Sequence, residues 1–263
     1  MAEEFSVVTW NLNSLRARME HLTRWLTDHR PEVMCLQETK LTDDIFPVDA
    51  IRELGYHAAF AGQKTYNGVA ILATQPIEEV SIGFQGDNSE EQKRLIAATV
   101  GGIRIVNAYV PQGSQVDSPK FAYKLKFLAE LAEYFEANHR PTDPLVIVGD
   151  INVAPHPEDV FNAEEMDGQV CFHPAEREAL ERIREWGFFD LFRKFQSEPG
   201  FYSWWDYRQA AFRRNRGLRI DHIWATRPVA DRSRSCWIDR EERTRERASD
   251  HAPVVATLAG TVD

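Results

Sequence analysis

Acidic and amide side chains close several apolar runs along this chain: FSVVTWN ends on Asn11, VMCLQE on Glu38 and LVIVGD on Asp150. A strand end is a rigid place from which to present a reactive group to a cleft. A hard divalent cation takes oxygen ligands, and Mg²⁺ accepts one or two carboxylates while keeping waters that a substrate phosphate can replace. Glu38 is the best candidate ligand, and Asp150 can take a proton from an attacking water. Asn152 stands two residues after Asp150, a spacing that in an extended segment aims both side chains to one side, so it can hold that water in line. His251 adjoins Asp250, but neighbours on an extended segment point apart, so its partner should be a carboxylate elsewhere, for which Asp221 is chosen. Such a pair fixes one imidazole tautomer and favours the protonated ring beside a phosphorane-like transition state. Tyr109, at the end of IRIVNAYV, can donate a phenolic hydrogen bond to the same phosphate. Taken singly, each residue has a plainer explanation: a strand-end carboxylate is ordinarily a turn or cap residue, His251 a hydrogen-bonded structural histidine, and Tyr109 a core ring with its hydroxyl at the rim. The set is what points to metal-assisted hydrolysis at phosphorus.

Val- and Ile-rich runs predict strands at 5–11, 32–37, 67–73, 94–100, 103–110, 144–149, 218–225 and 253–258. Leu15, Met19, Leu22 and Leu26 recur at helical spacing, as do Phe121, Leu125, Leu128 and Phe135, which predicts amphipathic helices over 15–29 and 119–138. A third helix is expected at 174–186. The run 94–110 turns on Gly101-Gly102 as a hairpin, and other strands follow one another without a helix between them, which argues against a purely alternating parallel sheet. Two packed sheets with helices outside fit better, since strands covered on both faces give the near-continuous apolar runs of FSVVTWN and PLVIVGD.

The chain has 263 residues, 43% hydrophobic and 27% charged, and no internal repeat, low-complexity tract or linker-like run divides it. One domain over 1–263 is expected. The start MAEEFSVVTWN lacks a secretory pattern, and no run is apolar for long enough to span a bilayer, so the expected location is cytoplasmic with no membrane partner. The three cysteines, Cys35, Cys171 and Cys236, are too scattered for a zinc site and read as free thiols, with Cys35 a buried small hydrophobe inside EVMCLQE. A net charge of −10 taken alone favours a metabolic enzyme over a nucleic-acid binder. Acidic metal ligands contribute part of that charge, and bases cluster in RRNRGLR from Arg213 to Arg219, a pattern that in general is more often a solvated loop.

Eight ordered blocks make the chain similar to the exonuclease III family of bacterial repair nucleases, within the endonuclease/exonuclease/phosphatase superfamily. They are TWNLNSLRAR (9–18), LQETK (36–40), GQKTYNGVAIL (62–72), NAYVPQG (107–113), VGDINVAP (148–155), DLFRKFQSEPGFYSWWDYR (190–208), NRGLRIDHI (215–223) and SDHAPV (249–254). The resemblance implies an α/β fold, a four-layered α/β sandwich of two packed mixed β-sheets flanked by helices. It implies Mg²⁺-dependent hydrolysis of double-stranded DNA, with Mn²⁺ as a substitute, by 3′→5′ exonuclease, abasic-site endonuclease and 3′-phosphatase or 3′-phosphodiesterase activities. The expected substrates are duplexes with abasic sites, nicks or 3′ ends, and the expected state is a monomer without an obligate protein partner. By position, Asn11 and Glu38 match the family's metal-site residues, Tyr109 and Asp150 its catalytic tyrosine and aspartate, and Asn152 its water-orienting asparagine. Asp221 and His251 match its Asp–His pair and Asp250 its remaining acid, so Asn11, Glu38, Asp150, Asn152, Asp250 and His251 form the expected metal set. Trp204 matches an aromatic lining the pocket for an extrahelical abasic sugar, with Leu218 and Ile220 as further walls, although a tryptophan in such a stretch is commonly core. Lys64, Arg94, Arg213 and Arg216 are expected at phosphates. The segment from His156 to Pro174 departs from the family pattern in a region that borders DNA there, which leaves the balance between abasic cleavage and exonuclease action open.

Deoxyribonuclease I-like nucleases, sphingomyelinases, inositol phosphatases and poly(A)-removing nucleases share the Asn, Glu, Asp-x-Asn and Asp-His elements; NRGLRIDHI and FYSWWDYR favour the abasic-site branch. A catalytically silent damaged-DNA-binding module is the alternative from another class. It should have lost one of Glu38, Asp150, Asn152 or His251, and all four are present.

Overall fold

In order, the chain forms β1 (Glu4–Asn11), α1 (Leu15–His29), β2 (Val33–Gln37), α2 (Val48–Glu53), β3 (His57–Ala61), β4 (Val69–Ala73) and β5 (Glu78–Ile82). There follow β6 (Leu95–Val100), β7 (Ile103–Tyr109), α3 (Pro119–Asn138), β8 (Leu145–Asp150), α4 (Ala163–Met166) and α5 (Pro174–Glu185). The last part contributes β9 (Phe188–Asp190), α6 (Leu191–Phe195), β10 (Trp204–Trp205), β11 (Gly217–Leu218), β12 (Asp221–Thr226), α7 (Arg227–Ala230), β13 (Ser233–Ile238) and β14 (Val254–Ala259). This is a computed structural model, and it describes residues 4–84 and 92–260.

Two six-stranded sheets carry these elements, in the orders β13-β14-β1-β2-β4-β3 and β5-β6-β7-β8-β12-β9. Each is mixed, with one parallel pairing among the described strands, β1 with β2 and β7 with β8. Side chains alternate across each strand, so β1 sends Phe5 and Val7 into the core between the sheets and Val8 and Trp10 toward α1. In β8, Val146 and Val148 enter the same central core while Leu145 and Ile147 meet α3 and α5. Central strands such as β1 and β8 are thus covered on both faces, which explains their unbroken apolar runs and gives the four-layered sandwich that the sequence predicts.

The Gly101-Gly102 hairpin is present, with Val100 paired to Ile103 and both glycines at positive φ (55° and 75°). That geometry is the two-residue turn whose twist suits adjoining strands. The predicted run 218–225 is two elements. Gly217–Leu218 pairs with Trp204–Trp205, Asp221–Thr226 joins the second sheet, and the break falls where the buried Arg219 guanidinium binds Asp159 and Asp190. Helix α3 has the predicted bounds, but its inner face carries a buried Lys124, whereas Leu125 is only half-buried.

Between the sheets, below the strand ends, the apolar core gives way to amides. Gln37 donates to Thr9 Oγ1 (2.9 Å) and Asn107 Oδ1 (2.7 Å), and Asn107 donates to the carbonyls of Leu36 (3.0 Å) and Ala70 (2.9 Å). These bonds tie the two sheets together directly beneath Asn11, Glu38, Tyr109 and Asp150.

Candidate active site

Both parallel pairs end on one side of the sandwich, so β1, β2, β7 and β8 deliver Asn11, Glu38, Tyr109 and Asp150 to a single place. A cavity of about 580 Å³ opens there, lined among others by Glu38, Tyr109, Asp150, Asn152, Asp250 and His251. Asn11 is buried at its floor and donates from Nδ2 to both Glu38 Oε1 (2.9 Å) and Asp150 Oδ2 (2.8 Å). Two carboxylates therefore share one amide nitrogen. The Tyr109 hydroxyl donates to the same Glu38 oxygen at 2.9 Å, and Lys40 Nζ lies 2.8 Å from Glu38 Oε2.

His251 and Asp221 meet at 2.8 Å between Nδ1 and Oδ2, while Nε2 of the ring lies 3.8 Å from Asp150 Oδ2. The other Asp221 oxygen, Oδ1, is buried and has no hydrogen-bond partner among the described residues. Asp250 points elsewhere, accepting from Trp204 Nε1 and from Asn13 Nδ2, each at 3.0 Å. Asp250 and His251 thus meet different partners, with Asp250 at a bend rather than in a strand. At Asn152 the expected reason fails: its φ is 55°, so the segment is not extended, and a left-handed turn brings its side chain beside that of Asp150 over the cavity. Its Nδ2 donates to Val110 O (3.0 Å) and its backbone N–H to Asp150 Oδ1 (3.1 Å). Glu38 also has positive φ, as do Asn13, Ser14, Lys40 and Cys171 nearby. Such backbone costs on the order of 1 kcal/mol or more per residue and persists where surrounding contacts over-determine it.

Glycine is required immediately before Asp150. Gly149 has φ 140°, and a Cβ there would lie 1.9 Å from Ala108 O in the neighbouring strand.

The electrostatics follow from burial and neighbours. Burial opposes ionisation of Glu38, yet hydrogen bonds from Lys40 and Asn11 and the nearby positive charge outweigh it and hold the carboxyl below its usual range. Burial pushes Asp150 up, helped by the Asp221 and Glu38 carboxylates and opposed by His251 and Asn11. Burial also disfavours a charged His251, but Asp221 and Asp150 reverse this and drive its pKa upward, which favours the protonated ring. Tyr109 is pushed well above its ordinary value by burial and by the Glu38 and Asp150 charges, which keeps it a neutral donor. Asp150, Asp221 and His251 place ligand atoms within 4.8 Å of one another and so could hold a metal ion.

One wall of the cavity is apolar, with Trp204, Leu218 and Ile220 joined by Phe161, Met166, Val170 and Cys171. Arg216 reaches this wall, paired with Glu165 (2.6 Å) and lying over the Phe161 ring at 4.1 Å. The Arg94 guanidinium stacks on Tyr109 at 4.6 Å and donates to its carbonyl. Lys64 and Arg213 are exposed outside the cavity lining.

Several neighbours escaped the sequence reading. Asn13 accepts from Lys40 (2.6 Å) and donates to Asp250, and its backbone N–H donates to Asn11 Oδ1 (2.9 Å). Its place two residues after Asn11 is a signal that was available. Gln112, another lining residue, stands in the quoted block NAYVPQG, whereas nothing local marks Cys171 or Met166.

Residues 8–251 match the Endonuclease/Exonuclease/phosphatase family. Exodeoxyribonuclease III of Haemophilus influenzae is 38% identical over 95% of this chain and 98% of its own length. Among solved structures, an AP endonuclease from Archaeoglobus fulgidus is 39% identical and superposes with a TM-score of 0.93, covering 97% of this chain and 99% of its own. A 3′ phosphatase from Neisseria bound to product DNA hairpin is 38% identical, with the same TM-score and the same coverage of both chains. The chain belongs to the Endonuclease/Exonuclease/phosphatase family.

Proposed function

We propose that this chain is a metal-dependent DNA repair nuclease that hydrolyses phosphodiester bonds of duplex DNA at abasic sites and at 3′ ends, and removes 3′-phosphate. The observation that carries this reading is the continuous polar chain from Glu38 through Asn11, Asp150 and His251 to Asp221 around one cavity. Carboxylates and amides of this kind suit a hard cation, with Mg²⁺ the resident ion and Mn²⁺ a substitute. The His251 Nδ1 and Asp221 Oδ2 atoms are already engaged with each other. The oxygen-rich side between Glu38 and Asp150, with Asn11, Asn152 and Asp250 around it, therefore fits the cation better. Bound there, the ion would neutralise a non-bridging phosphate oxygen and stabilise the leaving oxygen.

The protein's own groups have separate tasks. Asp150 takes the proton of the attacking water, and Asn152, fixed by its bond to Val110 O, holds that water in line. The His251 imidazolium, kept in one tautomer by Asp221, faces the charge that develops on phosphorus, and the neutral Tyr109 hydroxyl donates to the same phosphate. Trp204, Leu218 and Ile220 offer an apolar wall to a sugar without a base. Arg216 and Arg94 lie beside the cavity, where they can meet phosphates, with Lys64 and Arg213 further out. As one domain spanning 1–263, the protein acts as a monomer in the cytoplasm; three buried, free cysteines suit a reducing compartment, and no described helix is long and apolar enough to cross a membrane.

The test is a time course on one nicked and one abasic duplex with Mg²⁺ and then with chelator, beside a phosphoinositide and a poly(A) RNA. Cleavage of both duplexes only with metal is expected. Turnover of the lipid or the RNA in their place would replace this reading with another branch of the family.

A further inference from the structure

Lys124, on α3, and Glu176, in the first turn of α5, are both fully buried and form an ion pair behind the cavity. Two apolar residues of similar volume would fill this space without the cost of taking two charges out of water, so the pair calls for a reason beyond packing. Its hydrogen bonds supply one. Lys124 Nζ donates to the backbone carbonyl of Asn152 at 2.7 Å and to that of Gln112 at 3.2 Å. Glu176 turns its other oxygen to the backbone N–H of His173 at 3.0 Å, closing the capping box that starts α5. One ammonium thus binds the loop after β7 and the loop after β8 to each other, and a carboxylate anchored on a helix end fixes the ammonium. Both loops put side chains into the cavity, Gln112 and Asn152, whereas Lys124 does not line it. Asn152 needs this hold because its backbone is left-handed, a conformation that a free loop would leave.

We propose that Lys124, held by Glu176, is a positioning residue that fixes the carbonyls of Asn152 and Gln112 and so aims both side chains at the reacting phosphodiester. This rests on the nuclease reading above. In Lys124→Met the Asn152 carbonyl loses its donor, and misplacement of a reacting group by about 1 Å is enough for losses of about 10- to 100-fold. The expected result on a nicked duplex at saturating metal, well below the melting temperature, is a fall in kcat of about that size with KM for DNA little changed. The single variant also strands Glu176 as a buried charge and lowers the melting temperature. In Lys124→Met/Glu176→Met that imbalance is gone, so the melting temperature returns toward wild type while kcat stays low. The double variant, which leaves no buried charge unpaired, carries the kcat test if Lys124→Met alone does not fold. Recovery of kcat together with melting temperature in the double variant would overturn the positioning role. Wild-type chain that cleaves no duplex would instead refute the nuclease reading itself.

Discussion

His251 Nδ1 lies 2.8 Å from Asp221 Oδ2, and this one contact decides both the tautomer and the charge of the ring. Burial alone would keep the imidazole neutral; Asp221 is the largest influence that holds the proton on it. Because the folded pKa is raised, removing Asp221 lowers it, so the alkaline limb of the pH–rate profile should move to lower pH in Asp221→Asn. A fall in kcat of roughly 10²- to 10⁴-fold is expected for losing a positioned proton-bearing group. A pH profile on a nicked duplex measures both effects, and an alkaline limb that stays in place would mean that another group titrates there.

Asp150 receives the Asn11 amide and faces His251, so an amide in its place keeps the shape of the site while removing the base. Asp150→Asn should bind duplex DNA within a few-fold of wild type and lose essentially all turnover, seen by fluorescence anisotropy beside a gel time course. Full activity in this variant would exclude Asp150 as base.

Much of this site was legible because strand ends are marked locally. An apolar run that stops at Asn, Glu or Asp is visible in one dimension, whereas neighbouring side chains pointing apart only set Asp250 aside as the partner of His251 and leave Asp221 as a choice among distant carboxylates. What escaped depends on contacts distant in sequence. Arg219 reads as one more base in RRNRGLR, yet it is buried and grips Asp159 with both carboxylate oxygens, sixty residues away. β3 is HAAFA, an alanine-rich run with little strand character, and β5 is an exposed edge, EEVSI, without alternation. The left-handed Asn152 is missed because the spacing of Asp150 and Asn152 is read on an extended segment.

Trp204 has two contacts that can be separated. Its ring lines the apolar wall, and its indole N–H donates to Asp250 at 3.0 Å. Trp204→Phe should lose abasic-site cleavage only several-fold, through Asp250, whereas Trp204→Ala should impair abasic cleavage by about tenfold more than 3′-phosphate removal, since only the former places an extrahelical sugar against the ring. The ratio of the two rates in each variant is the measurement. Equal losses of both activities in Trp204→Ala would make the ring a packing element and nothing more.

The Arg219 network also predicts how stability depends on acid. Arg219 Nη1 donates to His222 Nδ1 (3.0 Å) and His222 Nε2 to Val153 O (2.8 Å), so His222 is neutral in the native state; burial, with Arg219 beside it, lowers its pKa to about 4. Its unfolded value is near 6.5, so between these limits the unfolded chain binds the extra proton and stability falls as pH drops from about 6.5 to 4. Asp159 resists burial only because Arg219 and Arg193 hold it ionised at about 2, and its contribution is lost lower, as pH falls from about 4 to 2. Asp150, whose folded pKa is raised, gives the opposite slope across this upper window, so the His222 effect is read as a difference between proteins. His222→Gln should lose less stability than wild type on going from pH 7 to pH 4, by about 2–4 kcal/mol, and well below pH 4 the two curves should run parallel. Urea midpoints at half-unit pH steps test this. Parallel curves for the two proteins between pH 7 and 4 would show that His222 is already protonated in the fold.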